Sequence, residues 1–198
     1  MHKNRIILGI ESSCDETSVS IVREKSSNDQ EILSNIINSQ TKIHQKSGGV
    51  IPEIAARSHS MVIDQLIEQA LTKAKIKLSQ VDAVAATAGP GLLGGLIVGV
   101  VAAKTLASVL RKPFIAINHL EGHALSAKLE HQIEYPYLLL LVSGGHTEFT
   151  IIKSFNNYKR IGTTLDDALG EAFDKSARVL GLKSVSYTHL RAHETLLD

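Results

Sequence analysis

Two histidines, His119 and His123, are the residues whose type and spacing most directly suggest chemistry. In a helix, side chains four residues apart lie on the same face, so the two imidazoles could bind one ion. Imidazole is a common ligand of zinc and iron. The spacing alone is more typical of a solvated helix face, but the pair directly follows the apolar run 114–117, which indicates a buried strand. Because α/β sheets usually bind ligands at the ends of their strands, this position favours a metal site.

Two turns that follow predicted strands could bind an anion. Residues 11–17, between strands predicted at 6–10 and 18–22, are rich in hydroxyls and carboxylates. They could bind a phosphate, with Asp15 acting through a cation, or form an ordinary polar hairpin, which the residues alone favour. The turn 143–146 is similarly small and polar, so the two turns could hold a nucleotide's phosphates from opposite sides. The residues concerned are Ser12, Ser13, Asp15, Thr17, Ser143, Gly144, Gly145 and His146.

A third turn, Gly89-Pro90-Gly91, lies between a predicted strand at 81–87 and a predicted helix at 92–110. Amides at a helix N-terminus favour anions, but the segment lacks the lysine and hydroxyl of a P-loop, which argues against a Walker-type NTPase. Residues 83–103 carry no charge and approach the length of a membrane span. The Gly-Pro-Gly turn divides them, so a strand and a buried helix are predicted, without membrane association.

The first half of the chain begins with an antiparallel meander. A third strand is predicted at 31–38, after those at 6–10 and 18–22. Residues 39–51 are predicted to form an irregular loop. A helix then runs from Pro52 to about Lys75. Arg57 and His59 in its first turns could reach a ligand, but the solvated surface is the default prediction for both.

The pattern restarts near residue 134. Strands are predicted at 137–142, 147–153 and 158–162. A helix is predicted at 165–182, with Asp166 and Asp167 in its first turn, where the helix dipole favours carboxylates. Strands followed by a helix repeat the opening of the chain, which predicts an α/β protein of two similar lobes with a ligand between them.

Composition sets wider limits. The chain has 198 residues, of which 43% are hydrophobic, and a formal net charge of +1. This is ordinary for a globular chain of one or two domains, and any nucleic-acid binding must use a local patch. The single cysteine, Cys14, excludes an internal disulfide and favours a reducing compartment. No signal-peptide pattern is found at the N-terminus.

Six motifs follow one another along the chain: Ile10 to Thr17, Ser47 to Glu53, Gly89-Pro90-Gly91, His119 to His123, Ser143 to Thr147, and Asp166 to Lys175. In this order they resemble the TsaD/Gcp family, the tRNA threonylcarbamoyladenosine transferases once described as O-sialoglycoprotein endopeptidases. The resemblance covers about residues 4–183 and is closest to the bacterial branch. It implies the two-lobed actin/Hsp70/hexokinase-type (RNase H-like) fold.

The resemblance also implies a reaction and a site. One divalent metal, Fe2+ or Zn2+, would be bound by His119 and His123. The substrate would be threonylcarbamoyl-adenylate, whose threonylcarbamoyl group is moved to N6 of adenine 37 in tRNAs that read codons beginning with A. ATP with Mg2+ is a further candidate ligand. A related non-catalytic subunit and a small ATPase are the expected partners, in the cytoplasm. The residues implied in substrate binding are Leu141, Val142, Ser143, Gly144, Gly145 and Asp174.

The end of the chain departs from the family. After Leu182 the family continues through a Tyr-Pro-Gly-Gly-Pro segment into the rest of the second lobe, which carries a third, acidic metal ligand. Here residues 184–198 resemble translated linker sequence, and the spacing of His189 and His193 is interpreted as chance. We therefore predict a first lobe at 1–133, the start of an incomplete second lobe at 134–183 and a non-native tail, with doubtful activity for this chain alone.

Three other functions fit part of the pattern. A zinc peptidase would place a glutamate directly after the first histidine, whereas Glu121 is the second residue after it. An ATP-dependent small-molecule kinase of the same fold would use the glycine turns and Asp15 but would not need the histidine pair. A non-catalytic partner subunit or fragment would form complexes without binding metal or nucleotide.

Overall fold

The computed structural model describes residues 4–26, 29–45, 49–131 and 133–180. The chain divides into two compact units, Met1–Leu120 and Glu121–Asp198. The predicted tail at 184–198, with His189 and His193, lies outside the described residues.

The first unit contains a five-stranded sheet of order β3-β2-β1-β4-β5. Strands β1 to β3 pair antiparallel, which confirms the predicted meander, whereas β4 is parallel to both β1 and β5. The strands are β1 (Arg5–Glu11), β2 (Glu16–Ser26), β3 (Asp29–Ser39), β4 (Ala83–Gly89) and β5 (Phe114–Asn118).

Helices follow the third, fourth and fifth strands. They are α1 (Thr41–Gln45), α2 (Pro52–Ala74), α3 (Leu93–Leu110) and α4 (His119–Glu130), with a short 3-10 helix at Leu78–Gln80. The prediction of an irregular loop over 39–51 was wrong at α1. Helix α1 forms because the backbone carbonyl of Gln40 accepts the N–H groups of Ile43 and His44. Gln40 is itself buried.

The core of the first unit lies between the sheet and the helices α2 and α3. Alternation along β1 directs Ile6, Leu8 and Ile10 to this face. Burying each large aliphatic side chain contributes about 1.5–3 kcal/mol, so this layer provides much of the unit's stability. The helical partners are Ile63, Leu66 and Ala70 from α2 and Ala103 and Ala107 from α3.

Helix α3 is long and apolar enough to cross a membrane by length and composition alone. One of its faces is buried within the first unit, where it lies against α2 and β4. Its opposite face exposes Ile97, Val101 and Val109. The buried residues are Gly95, Leu96, Gly99, Ala103 and Ala107.

The second unit contains a three-stranded antiparallel sheet of order β6-β7-β8. Its elements are β6 (Tyr137–Val142), β7 (Thr147–Ser154), β8 (Asn157–Thr163) and α5 (Leu169–Val179). The predicted helix 165–182 therefore began too early, and Asp166 and Asp167 precede α5. The helix starts where the N–H of Leu169 donates to Oγ1 of Thr147 over 2.8 Å, because this bond anchors the chain to β7.

Candidate functional site

The carboxyl ends of three parallel strands bring polar side chains together in the first unit. Glu11 ends β1, Thr87 lies near the end of β4, and His119 directly follows β5. The register pairs Ile10 with Ala86, so Glu11 is level with Thr87, and Thr87 pairs with Ile117, two residues before His119. Strand ends of this kind are where open α/β sheets usually bind ligands.

Glu11 accepts hydrogen bonds through both carboxylate oxygens. Oε1 accepts the backbone N–H of Ser13 at 2.5 Å, and Oε2 accepts from the hydroxyl of Thr87. Nδ1 of His119 lies 3.3 Å from Oε2. Burial by itself would raise the pKa of Glu11, but the hydrogen bonds from His119, Ser13 and Thr87 outweigh it and lower the pKa to about 2. Glu11 is therefore a carboxylate at neutral pH.

His119 is oriented by this cluster. Its Nδ1 contacts Glu11 and also lies 3.3 Å from the hydroxyl of Ser13. A proton on Nδ1 that faces a carboxylate leaves the ring's lone pair on Nε2. Metal-binding histidines usually have such a carboxylate behind the ring nitrogen that does not bind the metal.

The second predicted ligand, His123, lies four residues after His119 in α4. This confirms that both histidines belong to one helix, while their role as ligands stays a prediction. Among the described residues, no group of three or more His, Cys, Asp or Glu side chains forms a ready metal site.

The loop of residues 12–15 between β1 and β2, called here the 12–15 loop, is held tightly against α3. The hydroxyl of Ser12 donates to the carbonyl of Gly95 over 2.9 Å, and the carbonyl of Ser13 accepts the N–H of Leu92 at 2.7 Å. A Cβ added to Gly91 would lie 2.7 Å from Ser13, and one added to Gly99 would lie 2.2 Å from Oγ of Ser12. Only glycine permits this approach of helix and loop.

The residues of 11–17 that were predicted to bind phosphate fall into two groups. Ser12 and Thr17 are buried, and their hydroxyls bind Gly95 and His59 within the protein. Ser13 is also buried, but its hydroxyl faces His119. Asp15 is 5% exposed. Ser13 is therefore the hydroxyl of this loop that is directed toward the histidine helix.

In the second unit, Ser143 organises the turn between β6 and β7. Its Oγ accepts the N–H groups of Gly145 at 3.3 Å and His146 at 2.9 Å, while its own N–H donates to the carbonyl of His146. An anion bound by the amides of Gly145 and His146 would have to replace this serine hydroxyl. Leu141 is buried and Val142 half-buried at the end of β6.

Helix α5 begins directly against this turn. The N–H of Gly170 donates to the carbonyl of Ser143 over 3.2 Å. A Cβ on Gly170 would lie 2.8 Å from that carbonyl oxygen and from the Cα of Gly144. Asp174 follows Gly170 by four residues, so it lies on the same face of α5.

Sequence reasoning missed Glu11, Thr87 and His59. His59 was predicted at the surface, but it is fully buried, whereas Arg57 is exposed and pairs with Glu53. A signal for His59 was present, since it lies four residues after Ala55 and four before Ile63, in the buried stripe of α2. The signal for Glu11 and Thr87 was their position at the ends of strands parallel to the one that precedes His119.

Comparison with known proteins shows which family the chain resembles. A family model described as TsaD, tRNA N6-adenosine threonylcarbamoyltransferase, matches residues 31–195. The chain is 57% identical over 183 residues to the tRNA N6-adenosine threonylcarbamoyltransferase of Pelagibacter ubique, which covers 92% of this chain and 51% of that protein. The enzyme of the same name from Brucella ovis is 58% identical over 176 residues, covering 89% and 49%. The chain thus spans about half the length of the curated relatives it matches.

Solved structures show the fold. A Pseudomonas aeruginosa protein with similarity to peptidase YeaZ has a TM-score of 0.53 at 18% identity, covering 80% of this chain and 64% of that one. The ethanolamine utilization protein EutJ of Carboxydothermus hydrogenoformans has a TM-score of 0.51 at 10% identity, covering 96% and 62%. These likenesses confirm the predicted α/β fold of the actin/Hsp70/hexokinase type.

Proposed function

Because this chain belongs to the tRNA N6-adenosine threonylcarbamoyltransferase family, we propose that the protein transfers a threonylcarbamoyl group from threonylcarbamoyl-adenylate to N6 of adenine 37 in tRNAs that read codons beginning with A. The chemistry is acyl transfer with AMP as the leaving group. The observation that carries the proposal is the orientation of His119 by Glu11 and Ser13 at the carboxyl ends of the parallel strands.

We propose that His119 and His123 bind one divalent metal, Fe2+ or Zn2+. The donor set fits, because two imidazoles occupy successive turns of α4 and the Glu11 carboxylate lies behind Nδ1 of His119. Bound there, the metal would supply Lewis-acid polarisation of the acyl group or its phosphate. Glu11 fixes the ring orientation and the position of the Nδ1 proton. Ser13 provides a second polar contact on the same nitrogen.

The proposed adenylate-binding residues lie in the second unit. They are Leu141, Val142, Ser143, Gly144 and Gly145 at the end of β6, and Asp174 on α5. The small residues of the turn permit close approach of a ligand to the backbone, and the face of α5 that carries Asp174 contacts this turn through Gly170. Ser13, Asp15 and His146 are further candidate contacts of the nucleotide, while ATP with Mg2+ remains a second candidate ligand.

The wider arrangement is also a proposal. The partners would be the tRNA, a related non-catalytic subunit and a small ATPase, and the location the cytoplasm. Residues 1–133 would belong to the first lobe and residues from 134 to the second, although the compact units divide the chain earlier, at Leu120.

The proposal is tested with the purified protein, the expected partner subunits, threonylcarbamoyl-adenylate and unmodified tRNA. Mass spectrometry of the digested tRNA measures threonylcarbamoyladenosine, and elemental analysis measures bound metal. We expect both to be lost together in the double variant His119→Ala, His123→Ala. The exposed His131, just beyond α4, provides the control, since His131→Ala should retain both.

Two outcomes would contradict the proposal. Unchanged metal content in the double variant would reject the two ligands. A wild-type protein that binds metal and adenylate but never modifies tRNA would reject the transferase function. Phosphate transfer from ATP to a small molecule in the same mixture would favour the kinase instead.

A further inference from the structure

A chain of buried polar side chains leads from α1 and α2 to the 12–15 loop. Gln40, His44, His59 and Thr17 are each at most 4% exposed. A buried polar group costs free energy unless it is hydrogen-bonded, so each donor in such a chain must meet an acceptor. The proposed reaction uses none of these four side chains.

The hydrogen bonds around His59 have a defined direction. The carbonyl oxygen of Cys14 can only accept, so Nε2 of His59 donates to it over 3.0 Å. Neutral His59 then has its lone pair on Nδ1. This lone pair accepts from Nε2 of Gln40 at 3.2 Å and from the hydroxyl of Thr17 at 2.7 Å.

The same reasoning determines the tautomer of His44. The amide of Gln40 presents Nε2 to His59, so its Oε1 accepts from Nε2 of His44 at 3.1 Å. Nδ1 of His44 accepts the backbone N–H of Ile51 at 3.4 Å. Both histidines are therefore neutral Nε2–H tautomers, and turning the Gln40 amide would break both of its histidine contacts.

The chain of hydrogen bonds ends at the loop that orients His119. The N–H of Gln40 donates to the carbonyl of Asp15 over 2.9 Å, next to the carbonyl that His59 binds. Ser13, the residue before Cys14, contacts His119 through its hydroxyl. Gly95 confines the imidazole of His59 from the side of α3, since a Cβ there would lie 3.1 Å from the ring.

We propose that His59 is a positioning residue, which, through the directed chain Ile51–His44–Gln40–His59–Cys14, holds the 12–15 loop where Ser13 and Glu11 orient His119. This proposal rests on the proposed function, because it takes His119 to be a metal ligand. Loss of the Nε2–H donor should loosen the loop while the core of the first unit stays folded.

His59→Gln and His59→Asn form a matched pair. The longer glutamine places an amide N–H near the position of Nε2 and can still donate to Cys14, whereas asparagine reaches only the position of Nδ1. Amide hydrogen exchange at Leu92 reports on the loop, because that N–H donates to the carbonyl of Ser13. We expect His59→Asn to raise the Leu92 exchange rate about tenfold, as for loss of one hydrogen bond, and His59→Gln to stay within about threefold of wild type.

The amide of Val84, which donates to the carbonyl of Pro113, is the internal reference and should be unchanged in both variants. Equal Leu92 exchange in the two variants, with Val84 protected, would overturn the proposal. If Val84 also exchanges faster in His59→Asn, the core of that variant is no longer stably folded. The variant Gln40→Glu then provides the test of the proposal.

Gln40→Glu replaces the amide donor that faces His59 with a second acceptor. We expect His59 to take up a proton on Nδ1 at neutral pH, because Nε2–H still faces the carbonyl of Cys14. Nitrogen-15 spectra of the ring should show His59 protonated only on Nε2 in the wild type and on both nitrogens in the variant. An unprotonated Nδ1 in Gln40→Glu, or an Nδ1–H tautomer in the wild type, would overturn the proposal. These readouts need no tRNA, adenylate or metal, so their failure and failure of the proposed function are distinguishable.

Discussion

At the scale of single residues, the Glu11 carboxylate is the group on which the orientation of His119 depends. Glu11→Gln keeps the size of the side chain but removes the charge and presents an amide N–H to Thr87 or His119, where the carboxylate now accepts. We expect Zn2+ affinity, measured by calorimetry, to fall about 10–100-fold, as for other carboxylates behind a metal-binding histidine. Glu68→Gln, on the exposed face of α2, should leave the affinity unchanged, and an equal loss in both variants would contradict the assignment.

A second prediction at this scale concerns pH. Burial lowers the pKa of His59, although the hydrogen bond to Cys14 opposes the shift. The unfolded chain then binds a proton near pH 6.5 that the folded chain binds only at lower pH, so the stability that His59 contributes is present above pH 6.5 and decreases as pH falls. For this one group, the decrease in the free energy of unfolding approaches about 1.4 kcal/mol per pH unit at most.

Urea unfolding at pH 7 and pH 5.5 measures this slope. His59→Gln should reduce the pH dependence even if it also lowers stability at pH 7. His131→Gln, at an exposed position, should keep the slope of the wild type. If His59→Gln leaves the slope unaltered, the buried imidazole is not its source.

The sequence contained part of this residue-scale information. Position alone was enough to place His119 and His123 on a helix after a buried strand, because an apolar run followed by polar residues indicates where a strand ends. It was not enough to find the partners of His119, because register between β1, β4 and β5 brings Glu11 and Thr87 into place, and register depends on long-range pairing. His59 was missed because a titratable residue in an apolar stripe was interpreted from its type and not from its spacing.

At the scale of elements, the contact between α5 and the β6–β7 turn depends on Gly170. Gly170→Ala would place a methyl group 2.8 Å from the carbonyl oxygen of Ser143 and the Cα of Gly144, so helix and turn must separate. We expect a loss of about 1–3 kcal/mol in the free energy of unfolding, together with faster amide exchange at Leu169, which donates to Thr147.

Gly162→Ala is the matched control for this prediction. A Cβ at Gly162 would have its nearest neighbour, Phe149, at 3.9 Å, an ordinary contact. Similar destabilisation by both substitutions would show that the turn contact has no special role. The sequence correctly predicted a helix in this region, but its start could not be predicted, because the bond from Leu169 to Thr147 joins residues far apart in the chain.

At the scale of the whole molecule, the orientation of α3 determines which side chains of the uncharged segment 83–103 are buried and which are exposed. Its composition fits a membrane span, whereas the structure buries only one face within the first unit. Ala103→Asp would place an unpaired charge at a fully buried position and should cost more than about 3 kcal/mol. Val101→Asp, at a position 56% exposed, should cost less than about 1 kcal/mol.

Urea unfolding and the amount of protein in the soluble fraction measure the difference between these two variants. A helix that lies in lipid would suffer from either charge, so similar losses for Val101→Asp and Ala103→Asp would contradict the packing described here. The turn at Gly89-Pro90-Gly91 allowed the sequence to predict a helix here, because it divides the apolar segment into a strand and a shorter helix. That helix was predicted to be buried, and the structure buries it along one face. The buried face of the helix carries small residues at intervals of four, Gly95, Gly99, Ala103 and Ala107. Its contact with Ser12 could not be predicted, since that hydrogen bond joins residues 83 positions apart.

The close contact of α3 with the 12–15 loop has a genetic consequence. A methyl group on Gly99 and the hydroxyl of Ser12 cannot both be accommodated, since they would lie 2.2 Å apart. The same methyl group would lie 3.4 Å from Cβ of Ser12, so alanine at position 12 would leave room for it. Gly99→Ala should therefore be selected against in a cell that depends on this protein, and Ser12→Ala should appear among its second-site suppressors. The suppressed strain would still lack the hydrogen bond from Ser12 to Gly95 and should tolerate high temperature less well than its parent. Over evolutionary time, the two positions are expected to change as a pair or not at all.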